Sequence, residues 1–589
     1  MPKPEVKNKK SMRQSFKEFL KSLKGYRVPI ITAILLTIGS AILGLFIPKL
    51  LGDMTTIAVN SYPNLDWSAL GEKAIIAISL FVGAAILNYG QAYILAVVSA
   101  RYTKEMREKI LDKITRLPIA YFDKHQYGDI LSRMSNDVDV LTTSMSQEIA
   151  DVSLSLTTLI GVMIIMLTIS VPLSLIAFVV VPVSVIIVGK IMQFAQKYFR
   201  QQQNTLGVLN SKIEEDYSGQ IVIKSNSYEP TALQDFMQTN EKLTKVTRRA
   251  QIFSSLSFPV THIFTTLGYV AICAVDGVFV VKGRINIGDI QAFVQYVTRF
   301  NRPITEIAST TSTLQMLLAA SERISDFLNE PEEAMEVDTV SPPEKINGEV
   351  EFHDVCFSYL KDQPVIKNFS IKVKPGMKVA IVGPTGAGKT TIINLLMRFY
   401  EPDSGYITID GVPTNKMKRS DVRKLFGMVL QDTWLFSGTV EENLRYGNQK
   451  ANLDEIKKAA KASNVHHIIE ALPKAYHSEI SEDSDNISAG EKQLLTIARA
   501  MVANPPMMIL DEATSNVDTR TEQLIQDSFE KITAGRTSFV IAHRLSTIRN
   551  SDLILVMRDG AVVEQGNHQE LLKQNGFYAE LYNSQFSDS

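Results

Sequence analysis

Hydrophobic and polar positions divide the chain near residue 320 into two halves with different periods. Before that point, long runs without charge recur at membrane-spanning length: 28–48, 74–100, 152–189 and 251–275. A bilayer core about 30 Å thick takes about 20 apolar residues as a helix. The 152–189 run is about twice that length, and Ser170, Pro172 and Ser174 in its middle predict a short turn between two spans. A sixth span, 287–318, contains Asp289, Arg299, Arg302 and Glu306. A charge at mid-membrane costs about 2.5–3.5 kcal/mol on insertion scales. These side chains are therefore expected to face a bundle interior, an aqueous cavity or an interface, or to lie where the helix has already left the membrane.

Residues 1–27 are basic and amphipathic, with Phe16, Phe19, Leu20 and Leu23 among lysines and arginines, as in a helix lying on the cytoplasmic leaflet. Segments 101–148 and 190–250 are rich in Lys and Arg, whereas 49–73 is poor in them, which places the N-terminus and both long connections in the cytoplasm. Helical periodicity makes those connections extensions of the spans. The membrane domain is thus expected over 28–325 and an acidic, proline-bearing linker over 326–347. From 348 to 589, β-rich runs at 350–359, 378–382, 507–510, 538–542 and 553–556 alternate with helical patterns, which indicates an α/β domain.

Composition adds exclusions. At 589 residues the chain exceeds one compact core. Its 61 Lys and Arg against 62 Asp and Glu leave a net charge of -1, with no basic footprint for nucleic acid. Two distant cysteines, Cys273 and Cys356, exclude a disulfide scaffold or a cysteine-based zinc module.

The chemistry concentrates in the second half. Gly383-Pro384-Thr385-Gly386-Ala387-Gly388-Lys389-Thr390-Thr391 follows an expected strand and opens a helix. Glycines let backbone N–H groups approach phosphates at a helix N-terminus. Lys389 supplies a point charge for the β- and γ-phosphates, and Thr390 a hydroxyl for Mg²⁺. Downstream, Met507–Leu510 is an apolar run ending in Asp511 and Glu512. Asp511 can hold the metal, and Glu512 can act as general base for the attacking water.

The order of phosphate loop, Gln431, Ile487-Ser488-Ala489-Gly490-Glu491, Leu510-Asp511-Glu512, Ser515-Asn516-Val517-Asp518 and Ile541-Ala542-His543 resembles the ATPase domain of ATP-binding-cassette (ABC) transporters. The six-span half resembles the exporter type, supported by Tyr121-Phe122-Asp123, Gly128, Arg133 and Asp137 in the first hairpin. Gly219, Lys224 and Glu229 support it in the second. The resemblance implies roles. Tyr359 stacks on adenine, and residues 383–391 bind the ATP phosphates. Gln431 senses Mg²⁺ and the attacking water, His543 contacts the γ-phosphate, and Ser488, Gly490 and Asp518 act across a dimer of ATPase domains.

The family's signature reads Leu-Ser-Gly-Gly-Gln, whereas this chain has Ile487-Ser488-Ala489-Gly490-Glu491. Ala489 adds a Cβ where backbone approaches phosphate, and Glu491 adds a carboxylate near ATP's own charge. An intact phosphate loop beside an altered signature resembles the catalytic-glutamate half of bacterial heterodimeric multidrug exporters. That implies a second half-transporter with a normal signature and a degenerate second carboxylate, one consensus and one degenerate ATP site, and a multi-pass protein of the bacterial plasma membrane. The expected cargo is small, amphipathic or drug-like, in a cavity that includes Gln291, Gln295 and Arg299. Two alternatives stay open: a homodimeric exporter of lipid or peptide, and a gated channel or regulator.

Overall fold

A computed structural model describes residues 12–281, 286–337, 339–360, 363–431, 433–481, 487–511, 518–542 and 545–586. Contacts divide the chain into two units: Met1–Arg116 with Gln126–Pro331, and Leu117–His125 with Glu332–Ser589.

The first unit is helical. Its elements are α1 (Met12–Ser22), α2 (Arg27–Asn60) and α3 (Trp67–Arg116), then α5 (Tyr127–Ser132), α6 (Val138–Ile169), α7 (Val171–Ser218) and α8 (Gln220–Ser225). Next come α9 (Glu229–Ser255), α10 (Ser257–Val281) and α11 (Ile287–Leu328), while α4 (Ile119–Lys124) falls in the second unit. The expected double span is broken at one residue, Ser170, with proline at the start of the next helix. Among the described residues five helices are long and apolar enough to cross a membrane, and α11 is not among them. Its first half carries the charges Asp289, Arg299, Arg302 and Glu306, and its second half is rich in Ser and Thr.

Those charges are satisfied inside the unit. Asp289 pairs with Lys49 at 2.5 Å, and Arg299 donates to the Gly44 carbonyl at 2.7 Å. Glu306 accepts from Arg302 Nε at 2.6 Å and from the buried Ser155 hydroxyl at 2.8 Å. Farther along α11, Arg323 binds the buried Asp137 carboxylate through two hydrogen bonds, 2.9 and 2.5 Å. Arg133 lies over the Phe327 ring at 5.6 Å. The amphipathic N-terminal segment only partly keeps its apolar face for lipid. Phe19 and Leu23 are buried in the bundle, and Leu20 stays exposed.

The second unit holds two sheets. β1 (Val350–Leu360), β2 (Gln363–Val373), β4 (Ser404–Ile409) and β5 (Val412–Pro413) form an antiparallel sheet in the order β2-β1-β4-β5. The main sheet runs β12-β11-β3-β10-β9-β6. It comprises β3 (Lys378–Val382), β6 (Phe426–Val429), β9 (Met507–Asp511), β10 (Thr537–Ile541), β11 (Leu553–Arg558) and β12 (Ala561–Gly566). All its pairings are parallel except β11 with β12. The five runs expected as strands are β1, β3, β9, β10 and β11. A short ribbon joins β7 (Gly438–Thr439) and β8 (Glu479–Ile480).

Helices α12 (Lys389–Leu396), α13 (Arg419–Lys424), α14 (Val440–Arg445), α15 (Leu453–Ala462), α16 (His466–Ala471), α17 (Ala489–Ala503), α18 (Thr519–Thr533), α19 (Leu545–Arg549), α20 (His568–Gln574) and α21 (Phe577–Phe586) complete the frame. One core lies between the two sheets and α12, and a second joins the other face of the main sheet to α14–α18. The acidic linker is clasped from Glu332 onward. Glu333 pairs with Arg423 at 3.1 Å, and Glu336 accepts from the Arg419 backbone at 2.6 Å.

Candidate active site

In an open parallel sheet, ligands bind beyond the carboxyl ends of the strands. The sheet order brings three sequence-distant strand ends to that edge: β3 leading into residues 383–388, β9 ending in Asp511, and β6 followed by Gln431. β10 pairs with both β3 and β9, so the phosphate loop and Asp511 stand two strands apart.

Two glycines fix the loop's shape. At Gly383, φ is 154°, and a Cβ would come within 2.3 Å of the Met557 carbonyl oxygen. Gly388 is the N-cap of α12 at φ 98° and ψ 11°, in the left-handed region that favours glycine, and makes no side-chain cap bond. The first N–H groups of α12 are thus left to an external acceptor. Pro384, Thr385 and Gly386 are exposed on the loop, and Ala387 is buried beneath it. Lys389 Nζ folds back onto the carbonyls of Gly383 at 2.8 Å and Pro384 at 3.1 Å. Burial holds this ammonium below its ordinary pKa, and Asp511 opposes the shift. A phosphate would replace those two carbonyls as the lysine's partner.

Thr390 is exposed and Thr391 buried at the start of α12. Tyr359 belongs to β1 and is tied to this helix. Its hydroxyl donates to Thr391 Oγ1 and accepts from Asn394 Nδ2, both at 3.2 Å. Its ring meets Tyr400 edge-on at 5.0 Å. Hard oxygen donors on Thr390, Gln431 and Asp511 beside a lysine suit a magnesium nucleotide.

The signature residues form a second helix start. Ser488 is the N-cap of α17, accepting from Glu491 N at 3.3 Å, while Glu491 Oε2 accepts from Ser488 N at 2.8 Å. Gly490 is buried and Ala489 exposed. This is a complete capping box. Glutamine at the fourth position would make the same box without the charge. Glu491 therefore has a local structural task, which its charge alone does not reveal. Asp518 caps α18, accepting from Arg520 N and Thr521 N at 3.0 Å each. A hydrogen bond from the Thr521 side chain leads the causes that lower its carboxyl pKa, and the Thr521 backbone bond comes next. Glu512 and His543 lie outside the described residues.

A contact that the sequence reading missed enters this site from α4. Tyr121 is buried and stacks on His125 at 4.1 Å, and Tyr400 donates its hydroxyl to Asp123. Burial raises the Tyr400 pKa, and the Asp123 carboxylate raises it further. Asp123, Tyr400, Tyr359 and Thr391 thus form a continuous chain from α4 to the phosphate-loop helix.

Two cavities of the membrane unit lie among its described residues. One of about 620 Å³ is lined mainly by Leu51, Met54, Ala58, Val59 and Leu70, with Thr55, Tyr62 and Gln291. Thr55 hydrogen-bonds Gln291, so that expected residue lines a cavity. Arg299 instead spends its guanidinium on α2 backbone, and Gln295 lines neither cavity. The other, about 180 Å³, is lined by His262, Thr266, Tyr269, Ile272, Val294, Val297 and Thr298. The signal for it was present: His262 is the one imidazole in the 251–275 run.

Family comparison agrees with this geometry. Residues 30–304 match the ABC transporter transmembrane region, and 366–515 match the ABC transporter ATPase family. A fatty acid ABC transporter ATP-binding/permease protein of Mycobacterium bovis is 44% identical over 517 residues, 88% of this chain and 82% of that protein. The chain belongs to the ABC transporter family. The transporter is also 33% identical over 524 residues to an ATP-dependent lipid A-core flippase of Syntrophus aciditrophicus, covering 89% of this chain and 86% of the relative. A Bacillus subtilis protein named, provisionally, for multidrug export is 32% identical over 574 residues, 97% of this chain and 99% of its own. The transporter is a multi-pass membrane protein of exporter type whose ATPase domain binds ATP and couples its hydrolysis to transport.

Proposed function

We propose that the transporter is one half of an asymmetric exporter of amphipathic or drug-like compounds, paired with an unlike second half. The observation that carries this reading is the Ser488–Glu491 capping box. A phosphate clamped by this helix would meet a terminus whose partial positive charge already faces a carboxylate. The phosphate loop has no such occupant. Two copies of this chain would place Glu491 in both ATP sites. An unlike partner with a glutamine there would restore one.

In the restored site, Lys389 and the amides opening α12 hold the ATP phosphates, and Tyr359 packs on adenine. Thr390, Asp511 and Gln431 would hold Mg²⁺, which when bound would supply charge neutralisation to the phosphates. Glu512 takes a proton from the attacking water, and His543 hydrogen-bonds the γ-phosphate. Ser488, Gly490 and Asp518 of this chain face the partner's slower site. The exposed Tyr217, Ile221, Val222 and Tyr228 around α8 give a cytoplasmic docking surface for the other half.

The apolar 620 Å³ cavity and the cavity where His262, Thr266, Tyr269 and Thr298 stand among aliphatic side chains support an amphipathic cargo. A second reading is a homodimeric lipid exporter, whose cargo class is supported by the relatives named for fatty acid transport and for lipid A-core flipping. ATPase assays on the reconstituted chain, alone and with a second half-transporter, separate the two. Low turnover alone and high turnover in the pair is the expected result. Equal turnover in both would overturn the asymmetric reading.

A further inference from the structure

We infer that the ATPase unit carries a second ligand site, for a small organic oxyanion, in the cleft between α15, α17 and the end of α18. It is separate from the nucleotide site and independent of the asymmetric-exporter reading. The cleft encloses about 540 Å³, and its polar lining includes Lys458, Lys531 and Arg536.

The state of Arg536 points to the ligand. Its Nη2 donates to Asn504 Oδ1 at 2.7 Å, and Asn504 is itself held at φ 46° as the cap that ends α17. Nη1 of the same guanidinium is shut off from solvent and has no acceptor among the described residues. A buried N–H with no acceptor is an arrangement that folded proteins avoid unless something external completes it. Lys531 is likewise fixed by an amide, donating to Asn464 Oδ1 at 3.0 Å.

None of the three cations forms an ion pair among the described residues. The one carboxylate in the lining, Glu455, is engaged in capping α15, where it accepts from Asn452 N at 2.9 Å. Three positive charges against one negative leave an excess of two in the cleft. Burial, with no carboxylate to offset it, holds the Arg536 pKa below its ordinary value.

A planar guanidinium whose Nη1 lacks an acceptor, lining the same cleft as two ammonium groups, matches phosphate or carboxylate. Met501 and Ile532, on the apolar part of the lining, would cover the organic portion. A ligand seated here bridges α17, the helix that starts at Ser488, to the segment leading from α18 into β10.

The test uses the full chain in lipid nanodiscs with its ATP sites filled by a non-hydrolysable analogue. Thermal unfolding is followed against increasing glycerol 3-phosphate and, separately, citrate. At least one probe should raise the unfolding midpoint saturably, and Arg536→Gln and Lys531→Gln should each weaken half-saturation ten-fold or more. Lys573→Gln, on the exposed surface of another helix, should leave it unchanged. If Arg536→Gln fails to fold, Lys531→Gln and Lys458→Gln decide. The site is overturned if neither probe stabilises saturably, or if the folded variants stay within two-fold of the parent.

Discussion

Two helices of the ATPase unit begin where a phosphate is expected, and they begin differently. α12 starts at Gly388, in left-handed backbone with no side-chain cap. α17 starts at Ser488, whose hydroxyl and N–H are both engaged by Glu491. Both ends carry unpaired N–H groups and a partial positive charge in principle. The first leaves them to an external anion, with Lys389 resting on loop carbonyls nearby. The second supplies the anion from its own chain. A helix N-terminus is thus a phosphate site only if the sequence has not already filled it, and the filling residue is read from the fourth position of the box.

The contrast can be attacked in order of expected effect. Glu512→Gln should reduce turnover in the assembled exporter by about 10²–10⁴, the usual worth of a positioned general base, while leaving ATP binding intact. Phosphate release and nucleotide binding, measured on the same sample, check both halves of that statement. Lys389→Ala removes the charge at the open helix start and should lower turnover by about 10²–10³. A nucleotide-binding titration should show the loss in affinity as well.

Tyr400→Phe deletes only the hydroxyl bonded to Asp123. Basal hydrolysis should change by less than about two-fold, since a single neutral-to-charged bond contributes about 1.5–3 kcal/mol and none of it lies on the phosphates. The stimulation of hydrolysis by cargo should fall several-fold, and Asp123→Asn should reproduce that loss. Cargo-titrated ATPase curves read the difference. Glu491→Ala removes the side-chain half of the capping box, while the backbone N–H at 491 still donates to Ser488, and should destabilise the ATPase unit by about 1 kcal/mol. Denaturant unfolding monitored on the full chain measures it.

Much of this was legible in the sequence where the chemistry is local. Residues 383–391 lie consecutively, so strand, glycine turn and lysine can be read in one window. The Ser170 break and the charges of α11 are equally local. Tyr400 and Asp123 stand 277 positions apart, and no pattern in either neighbourhood announces their bond. Arg299 reads as a cavity residue by composition, yet the carbonyl of Gly44 on α2 claims it. Glu491 was visible as a charge in the wrong place. Only the backbone showed that it completes a cap. Local order specifies which groups are present, and the fold decides which of them remain available.

The most direct test is the turnover of the chain reconstituted alone, before and after Glu491→Gln. Glutamine keeps both hydrogen bonds of the box and removes the charge, so folding is preserved while the carboxylate's repulsion of a phosphate at the helix end is lost. The account predicts slow hydrolysis in the parent and an increase of about ten-fold in the variant, equivalent to about 1.4 kcal/mol at the helix end. Parent and variant hydrolysing at the same high rate would contradict it.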